Sequence, residues 1–340
     1  RSRNMPAYGF NFQWLNSREK GPVGPDQRAL DFMADLGLNF ARIPTNYHVW
    51  TEDFDYSHPD EKVIAYIDRY LDACRERNIQ MSLNLHRAPG YCINRNITER
   101  HNLWTDTEAQ DAFVFLWEYF ARRYKGVESR FLSFDLLNEP PWPGSDGMNR
   151  ENHEAVMRRT VAAVRAIDPD REIVLDGCGA GKLAVPELSD LDVTHSGRAY
   201  TPMAVSHYMA PWAGKNMCSI PEPVYPGTKP AGSDPADIEW NKEGLRTFYA
   251  EWRRVNDRGI PIHIGEMGCY NKTPNDVALR WFEDLFALFR EWGWGYALWT
   301  FSGPFGIIEH GRPGTEYENF KGYKVDRTLL DLFLQGRSEQ

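Results

Sequence analysis

The stretch FLSFDLLNEPP, residues 131–141, is an apolar run that ends in Asn138 and Glu139 and is followed by two prolines. Such a run is typical of a buried β-strand, and a pair of prolines ends strand pairing. A second stretch of the same design, IPIHIGEMGCY at residues 260–270, carries Glu266 near its end. If the two strands are parallel and share a sheet, both carboxylates emerge at one edge, as paired-carboxylate chemistry on a sugar requires.

The rest of the chain alternates between apolar β-type runs and segments of helical period, with eight of each. The predicted strands are 8–15, 39–44, 80–86, 131–139, 172–178, 203–208, 261–266 and 295–301. The predicted helices are 26–37, 60–78, 107–125, 149–167, 183–188, 241–259, 275–293 and 327–335.

Helix-sized connections between strands require a parallel sheet, and eight such repeats predict an α/β protein with a (β/α)8 TIM barrel. A doubly wound sheet is the alternative, but the G-x-G-x-x-G fingerprint is missing after the first predicted strand. No linker, charge block or low-complexity run divides the 340 residues. We therefore expect a single catalytic barrel domain over residues 1–340.

The charge of the chain argues against nucleic acid and anionic membranes as partners. Its 39 Lys and Arg residues against 48 Asp and Glu residues give a formal net charge of −9, which repels phosphate groups. No run of 18 apolar residues is present. We expect a monomer that needs no cofactor and binds neither nucleic acid nor a membrane.

The cysteines and the chain start leave the compartment open. Five cysteines form no C-x-x-C pair, and an odd number cannot all pair within one chain, so we expect mostly buried thiols. The start RSRNMPAYGF has neither an initiating Met nor the pattern of a signal peptide, which suggests a processed or trimmed form. Both a secreted mature protein and a cytoplasmic one fit these features.

Polar side chains collect where the predicted strands end. In a (β/α)8 barrel the carboxyl ends of the strands form one face, which holds the active site. Each of these residues alone has a structural explanation, such as an ion pair or core packing, but all of them together favour a site. They are Arg42, His86, Asn138, Glu139, His207, Tyr208, Glu266 and Trp299.

Two other hydrolase chemistries fit the sequence less well. A metal-dependent barrel hydrolase of the amidohydrolase type carries His-x-His on its first strand, where this chain has GFNFQWL, and no H-E-x-x-H is present. A Ser-His-Asp hydrolase needs a G-x-S-x-G elbow, which the chain lacks. We therefore expect carboxylate chemistry without a metal.

The ordered motifs resemble glycoside hydrolase family 5, a member of clan A, over about the whole chain. The motifs are RIP at 42–44, LHRAPGY at 85–91, LLNEP at 136–140, His207, GEMG at 265–268 and ALWTF at 297–301. The resemblance implies that Glu139 is the acid/base and Glu266 the nucleophile of a retaining mechanism. It also implies that Arg42 supports the nucleophile, that Asn138 binds the sugar 2-hydroxyl, that His86 and His207 belong to the site, and that Trp299 stacks on the sugar.

The chain departs from this pattern after the sixth predicted strand. Family members often show His-x-Tyr there, with the tyrosine bonding the nucleophile, whereas this chain has His207, Tyr208 and Met209 in a row. Strand parity turns Tyr208 away from His207. The partner of Glu266 is therefore open, with Tyr270 and Arg42 as the substitutes.

Asn138 and Glu139 are consecutive, so in a continuous strand their side chains would point to opposite faces. Both can reach one ligand only if the backbone turns between them. Pro140 and Pro141 make such a turn plausible.

Aromatic residues are abundant, at 14% of the chain, and indole faces stack on the apolar faces of sugars. Trp142 and Trp212 follow predicted strand ends and are candidate substrate platforms; Trp50 and Trp104 have the same placement. The segment 209–240, rich in Pro and Gly, is a candidate substrate-binding loop.

The resemblance implies a retaining endo-β-1,4-glucanase, a cellulase that acts on a β-linked polysaccharide or oligosaccharide by double displacement with two glutamates. A β-1,4-mannanase or glucomannan-active enzyme is the alternative. An exo-acting β-glycosidase on short oligosaccharides and a non-catalytic carbohydrate-binding barrel are weaker ones, since the latter should have lost a carboxylate.

Overall fold

The computed structural model describes residues 6–214, 216–227 and 238–338. The predicted fold class is confirmed: eight parallel strands alternate with helices in a closed (β/α)8 TIM barrel. The extent of a single catalytic domain over residues 1–340 stays a prediction. The chain divides into two compact units, the first formed by Phe12–Gly197 and Val255–Ile262 and the second by residues 6–11, 198–214, 216–227, 238–254 and 263–338.

The barrel strands, numbered one to eight in chain order, are Tyr8–Asn11, Phe40–Asn46, Gln80–Ala88, Leu132–Asp135, Glu172–Asp176, Thr194–Ala199, Ile262–Met267 and Gly295–Leu298. The α-helices are Gln27–Asp35, Glu61–Arg75, Thr107–Arg123, Arg150–Ile167, Cys178–Gly181, Met203–Ser206, Lys242–Phe248, Ala250–Asp257, Asn275–Trp292 and Arg327–Gln335. Short 3₁₀ turns cover Tyr47–Val49, Pro186–Leu188 and Pro211–Ala213, and short strands cover Tyr91–Cys92, Glu318–Phe320 and Tyr323–Val325.

The first unit contains strands two to five and the start of strand six, each parallel to the next. Arg42 is opposite Ser82, Ser82 is opposite Ser133, and Val174 is opposite Thr194. All nine residues of strand three are buried, as expected for a strand covered on both faces. This register brings the ends of strands two, four and five together within the unit.

In the second unit, strand eight lies between strands one and seven. Tyr8 is opposite Tyr296, and Ile264 is also opposite Tyr296. Gly295 permits the close approach of strand one, because a Cβ there would lie 2.2 Å from the carbonyl oxygen of Ala7. The irregular register between Ile264 and Met267 falls on the segment that carries Glu266.

Capping side chains fix several helix starts. Asp60 accepts a hydrogen bond from the Lys62 amide at 2.9 Å, and Asn149 forms a capping box with Asn152. Such caps satisfy backbone donors that the first helical turn leaves without partners. Two predicted helices are broken in the structure: 241–259 splits into Lys242–Phe248 and Ala250–Asp257, and 183–188 retains only a 3₁₀ turn.

The predicted sixth strand, 203–208, is wrong. That segment starts with the short helix Met203–Ser206, and strand six is Thr194–Ala199, with the sequence THSGRA. The segment 203–208 was predicted as a strand because of its apolar residues. The actual strand consists of polar and small residues and is nevertheless fully buried. Burial of polar residues depends on tertiary partners, which periodicity does not report.

Three of the five cysteines, Cys74, Cys178 and Cys269, are buried free thiols, as expected, while Cys218 is exposed. Within the described residues, none of the helices has both the length and the apolar character that a membrane crossing needs.

Candidate active site

The chain turns sharply at the end of strand four, where Asn138 and Glu139 lie. The strand ends at Asp135, and three residues later the amide of Asn138 donates to the carbonyl oxygen of Leu85 at 3.0 Å. Glu139 then adopts a left-handed backbone conformation with φ 45°. The expected turn between Asn138 and Glu139 is therefore present, and it removes the alternation of side chains that a continued strand would impose.

Arg42, on strand two, organises the buried polar groups at this strand end. Its Nε donates to Asp135 Oδ2 at 2.8 Å and its Nη2 to Asn138 Oδ1 at 2.8 Å. The same Nη2 lies 3.6 Å from Asp176 Oδ2. Because a guanidinium offers only donors, it sets the Asn138 amide with its oxygen toward Arg42 and its NH₂ group directed elsewhere. The expected support of Glu266 by Arg42 stays a prediction.

The peptide groups on both sides of the Glu139 Cα have side-chain partners. The Glu139 amide donates to Asp176 Oδ2 at 3.1 Å. The Tyr91 hydroxyl donates to the Glu139 carbonyl oxygen at 2.6 Å. Neither Asp176 nor Tyr91 was predicted as a site residue.

His86 and Arg87 end strand three but have different surroundings. His86 is buried, and its Nε2 lies 3.5 Å from Asn94 Nδ2. Arg87 instead binds the loop that follows, through the Asn94 carbonyl oxygen at 3.0 Å and Glu99 Oε2 at 3.2 Å. Arg87 therefore braces this loop.

Glu99 is the anchor of that loop. It accepts a hydrogen bond from Tyr47 at 2.5 Å and lies 3.1 Å from His48 Nε2. Burial alone would raise the pKa of Glu99, but hydrogen bonds from His48 and Tyr47 and the charge of His48 outweigh burial and hold its pKa below the ordinary value. The carboxylate thus remains charged and keeps the loop in place.

Glu266 lies on strand seven and is only 4% exposed. The Tyr200 hydroxyl donates to its Oε1 at 2.7 Å, and Arg198 Nη2 lies 3.5 Å from its Oε2. A donor on one oxygen and a cation beside the other stabilise the negative charge of this carboxylate. Tyr200 follows strand six directly, so the misplaced strand hid both partners.

The corrected strand also changes the interpretation of His207 and Tyr208. His207 ends the short helix after Tyr200, and its ring packs edge-on against Tyr200 with centroids 5.0 Å apart. Its Nδ1 lies 2.8 Å from Ser206 Oγ. Tyr208 is not at a strand end; it lines a cavity of about 650 Å³ together with Lys272 and Thr273.

Aromatic rings continue from Tyr200 to the surface of the second unit. We call the five of them the aromatic row: Tyr200, His207, Phe305, Tyr270 and Trp212. Neighbouring centroids lie 5.0 to 5.5 Å apart along the row, and 4.9 Å apart at its end between Tyr270 and Trp212. Trp212 is 60% exposed, which suits a surface that stacks on sugar rings.

The remaining tryptophans that were predicted to lie in a ligand groove differ in exposure. Trp142 is 38% exposed and lies against Gly179, where a Cβ would come within 3.0 Å of its ring. Trp50 and Trp104 are buried, at 2% exposure each, so their expected place in a ligand groove is wrong. They follow strands, but their rings pack against Phe120 and Tyr91 instead.

Trp299 follows strand eight and is half-buried. Its amide donates to the Met267 carbonyl oxygen at 2.7 Å, and its peptide bond to Thr300 is cis. Gly268 makes room for it, since a Cβ there would lie 2.8 Å from the Trp299 carbonyl oxygen. Of the predicted loop 209–240, residues 215 and 228–237 lie outside the described residues.

The predicted residues thus occupy two clusters, one in each unit. The first cluster contains Arg42, Asn138 and Glu139, and the second contains Glu266 and His207. Arg198 and Tyr200 were missed because strand six was misplaced, whereas Asp176 was missed although the strand that it ends was predicted. The run GRAYTP at residues 197–202 held a usable signal, since Pro202 marks a chain break just after an Arg and a Tyr.

Comparisons with known proteins agree with these features. Residues 2–304 match the family model for cellulase, glycosyl hydrolase family 5. Endoglucanase C of Acetivibrio thermocellus is 27% identical over 293 residues, which cover 81% of this chain and 83% of the relative.

Two of the solved structures that are similar to this chain align with nearly all of it. A crystal structure of a glycoside hydrolase is 57% identical, with a TM-score of 0.94 over 98% of this chain and 100% of the other. An endoglucanase from the hyperthermophilic Thermotoga maritima is 19% identical, with a TM-score of 0.74 over 96% of each chain, and supports the fold alone.

Proposed function

The chain belongs to the cellulase family, glycosyl hydrolase family 5, and on this premise we propose that it is a retaining endo-β-1,4-glucanase. That it is an O-glycoside hydrolase acting on a polysaccharide or oligosaccharide follows from the family. The proposal adds the linkage, the internal cleavage and the roles of individual residues. A relative named endoglucanase, aligned over 81% of the chain, supports the choice of glucan.

The environment of Glu266 carries the proposed mechanism. A nucleophilic carboxylate must be ionised and aimed, and the contacts from Tyr200 at 2.7 Å and Arg198 at 3.5 Å serve both needs. In the first step Glu266 attacks the anomeric carbon, and the bond from that carbon to the leaving oxygen breaks. The product is a glycosyl ester of Glu266 with inverted configuration.

Glu139 is the acid/base of the same proposal. It gives its proton to the leaving oxygen in the first step and becomes a carboxylate. In the second step it takes a proton from the water that attacks the glycosyl ester, which restores the proton on Glu139, the charge on Glu266 and the original configuration. In this proposal Asn138, whose amide is oriented by Arg42, binds the sugar 2-hydroxyl, and Trp299, Trp142 and Trp212 stack on sugar rings.

The substrate is tested by reducing-sugar release and viscosity on carboxymethyl-cellulose, barley β-glucan, glucomannan and galactomannan. We expect a rapid fall in viscosity on the two glucans, with Glu266→Gln as the blank. Activity mainly on galactomannan contradicts the glucanase and supports a mannanase. Release of sugar without a fall in viscosity contradicts internal cleavage.

The residue roles are tested separately by leaving-group dependence. Removing the acid with Glu139→Ala should lower kcat/KM strongly for aryl glycosides with poor leaving groups and little for activated ones, because only the former need a proton. Glu266→Ala should abolish turnover of both. Wild-type turnover in either variant contradicts the assigned role.

A further inference from the structure

The backbone of Glu139 is in a conformation that needs support. A left-handed φ of 45° is uncommon for a residue with a Cβ and is energetically unfavourable. Such conformations persist when the surrounding structure holds them. Because the direction of the bond from Cα to Cβ follows from the backbone angles, whatever holds this turn also aims the Glu139 side chain.

Two side chains hold the turn, one on each peptide group. Asp176 accepts from the Glu139 amide at 3.1 Å, and it is also within 3.6 Å of Arg42. Tyr91 donates to the Glu139 carbonyl oxygen at 2.6 Å. Asp176 is one of the two buried carboxylates that face Arg42, so its replacement would leave a buried cation with one partner fewer. Tyr91 is uncharged, and its hydroxyl can be removed without changing the number of buried charges.

Tyr91 is itself held in place. It is 4% exposed, and the short strand Tyr91–Cys92 pairs antiparallel with Arg87 and Ala88 at the end of strand three. Its ring lies edge-on to Trp104 with centroids 5.6 Å apart. Burial, backbone pairing and the contact with Trp104 restrict the conformations of this phenol.

The residue before Tyr91 must be glycine. Gly90 has φ 86°, and a Cβ there would lie 2.6 Å from the amide nitrogen of Leu103. The Gly90 amide donates to Glu99 Oε1 at 3.1 Å, and its carbonyl oxygen accepts from Leu103 at 3.1 Å. The loop braced by Arg87 and Glu99 therefore determines where the Tyr91 hydroxyl lies.

The Tyr91 hydroxyl also stays protonated. Burial, followed by the negative charge of Glu139, raises the pKa of Tyr91 well above its ordinary value. The hydroxyl is therefore a hydrogen-bond donor at neutral pH.

We propose that Tyr91 is a positioning residue for the hydrolytic reaction, because its hydrogen bond to the Glu139 carbonyl oxygen fixes the turn that aims the Glu139 carboxyl group. This inference rests on the proposed role of Glu139 as the acid/base. Tyr91 acts through Glu139, so its loss should affect the step in which Glu139 transfers a proton.

Tyr91→Phe tests the inference, because it removes the hydroxyl and keeps the ring against Trp104. We compare kcat/KM for two aryl β-glycosides of the sugar found in the polymer assay, one phenyl and one 2,4-dinitrophenyl. The expected loss is roughly tenfold on the phenyl glycoside and less than about twofold on the dinitrophenyl glycoside, which needs no acid. The ratio of the two values is independent of the active fraction, so partial unfolding cannot imitate the effect.

Tyr70→Phe is the matched control. Tyr70 is a buried tyrosine of the same unit whose hydroxyl also donates to backbone carbonyl oxygens, those of Trp14 and Val23, at 3.1 and 2.5 Å. Its leaving-group ratio should equal that of the wild type.

The outcomes separate the two proposals. Equal losses on both glycosides, or no loss on either, overturn the positioning role of Tyr91. If Glu139→Ala itself shows no dependence on the leaving group, the assigned role of Glu139 fails and the inference fails with it. A leaving-group effect in Glu139→Ala that is absent in Tyr91→Phe overturns the inference alone.

Discussion

The hydroxyl of Tyr200 lies 2.7 Å from Oε1 of Glu266 and donates a hydrogen bond to it. The tyrosine directly follows strand six and the glutamate lies on strand seven, so the contact links two consecutive barrel strands. With Arg198 beside the second oxygen, the carboxylate is fixed at both ends. This pair defines the environment of the proposed nucleophile.

Tyr200→Phe should lower kcat/KM by roughly 10- to 100-fold, because a hydrogen bond to a charged group is worth about 1.5–3 kcal/mol. The loss should be similar for aryl glycosides with good and poor leaving groups, since the nucleophile acts on both. Tyr296→Phe is the control: Tyr296 is a buried tyrosine of the same unit that donates to the Phe333 carbonyl oxygen at 2.5 Å, and the variant should keep wild-type activity. A loss confined to poor leaving groups contradicts a role at the nucleophile.

Gly179→Ala should weaken the use of polymers without impairing small substrates. Alanine tolerates this backbone, as the neighbouring Ala180 shows with φ 58°, but its methyl group would lie 3.0 Å from the Trp142 ring and displace it. We expect KM for the polymer to rise about three- to tenfold, in line with the loss of a modest aromatic contact. Aryl glycoside kinetics should be unchanged.

Gly144→Ala controls for the backbone cost of this change. Gly144 also has a positive φ, 94°, but no atom lies within 4 Å of the position of a Cβ. A rise in polymer KM of the same size in both variants contradicts a platform role for Trp142.

Arg42→Met should reduce the free energy of unfolding by about 3–5 kcal/mol, because it removes the cation that faces two buried carboxylates. Asp135 and Asp176 have side chains only 2% and 0% exposed. Urea denaturation at pH 7 measures the change. Arg158→Met removes a surface partner of Glu154 and Asp190 and should lower the free energy of unfolding by about 1 kcal/mol or less. Equal losses in the two variants would contradict the expected effect of burial on the ion pairs of Arg42.

His153 should make the protein less stable as the pH falls. Burial, and then the charge of Arg150, lower the pKa of His153 to about 4. An unfolded histidine has a pKa of about 6.5, so between pH 6.5 and 4 the unfolded chain binds more protons and the folded state loses stability. The loss is on the order of 3 kcal/mol, it is absent above pH 6.5, and it stops below pH 4.

His153→Leu should flatten this part of the stability profile, measured by urea denaturation at several pH values. His58→Leu, which changes a histidine with a 79% exposed side chain, should keep the wild-type slope. An unchanged slope in His153→Leu contradicts the assignment.

Much of the fold and of the candidate site was predictable from the sequence. Strands that are buried on both faces appear as apolar runs, and the spacing between them admits a helix, so seven of eight strands and the barrel class followed from local pattern. Glu139 and Glu266 stood out because a carboxylate at the end of an apolar run is costly to bury without a function. Arg42 and Asn138 stood out in the same way.

Strand six was not predicted because its residues do not form an apolar run. Thr194–Ala199 is fully buried although most of its side chains are polar, and the groups that make this burial possible do not show in the hydrophobic pattern. The contact between Tyr200 and Glu266 spans 66 residues, and the contact between Tyr91 and Glu139 spans 48. No window of sequence contains both members of either pair.

The sequence by itself determined the barrel class and singled out the two glutamates as catalytic candidates, because hydrophobic period and residue type report burial and chemistry one position at a time. Only the tertiary structure decided which tyrosine bonds Glu266, which tryptophans are buried, and how the left-handed turn at Glu139 is held. These outcomes depend on distances between groups that the fold brings together, and hydrogen bonds form only within a narrow range of donor–acceptor distances.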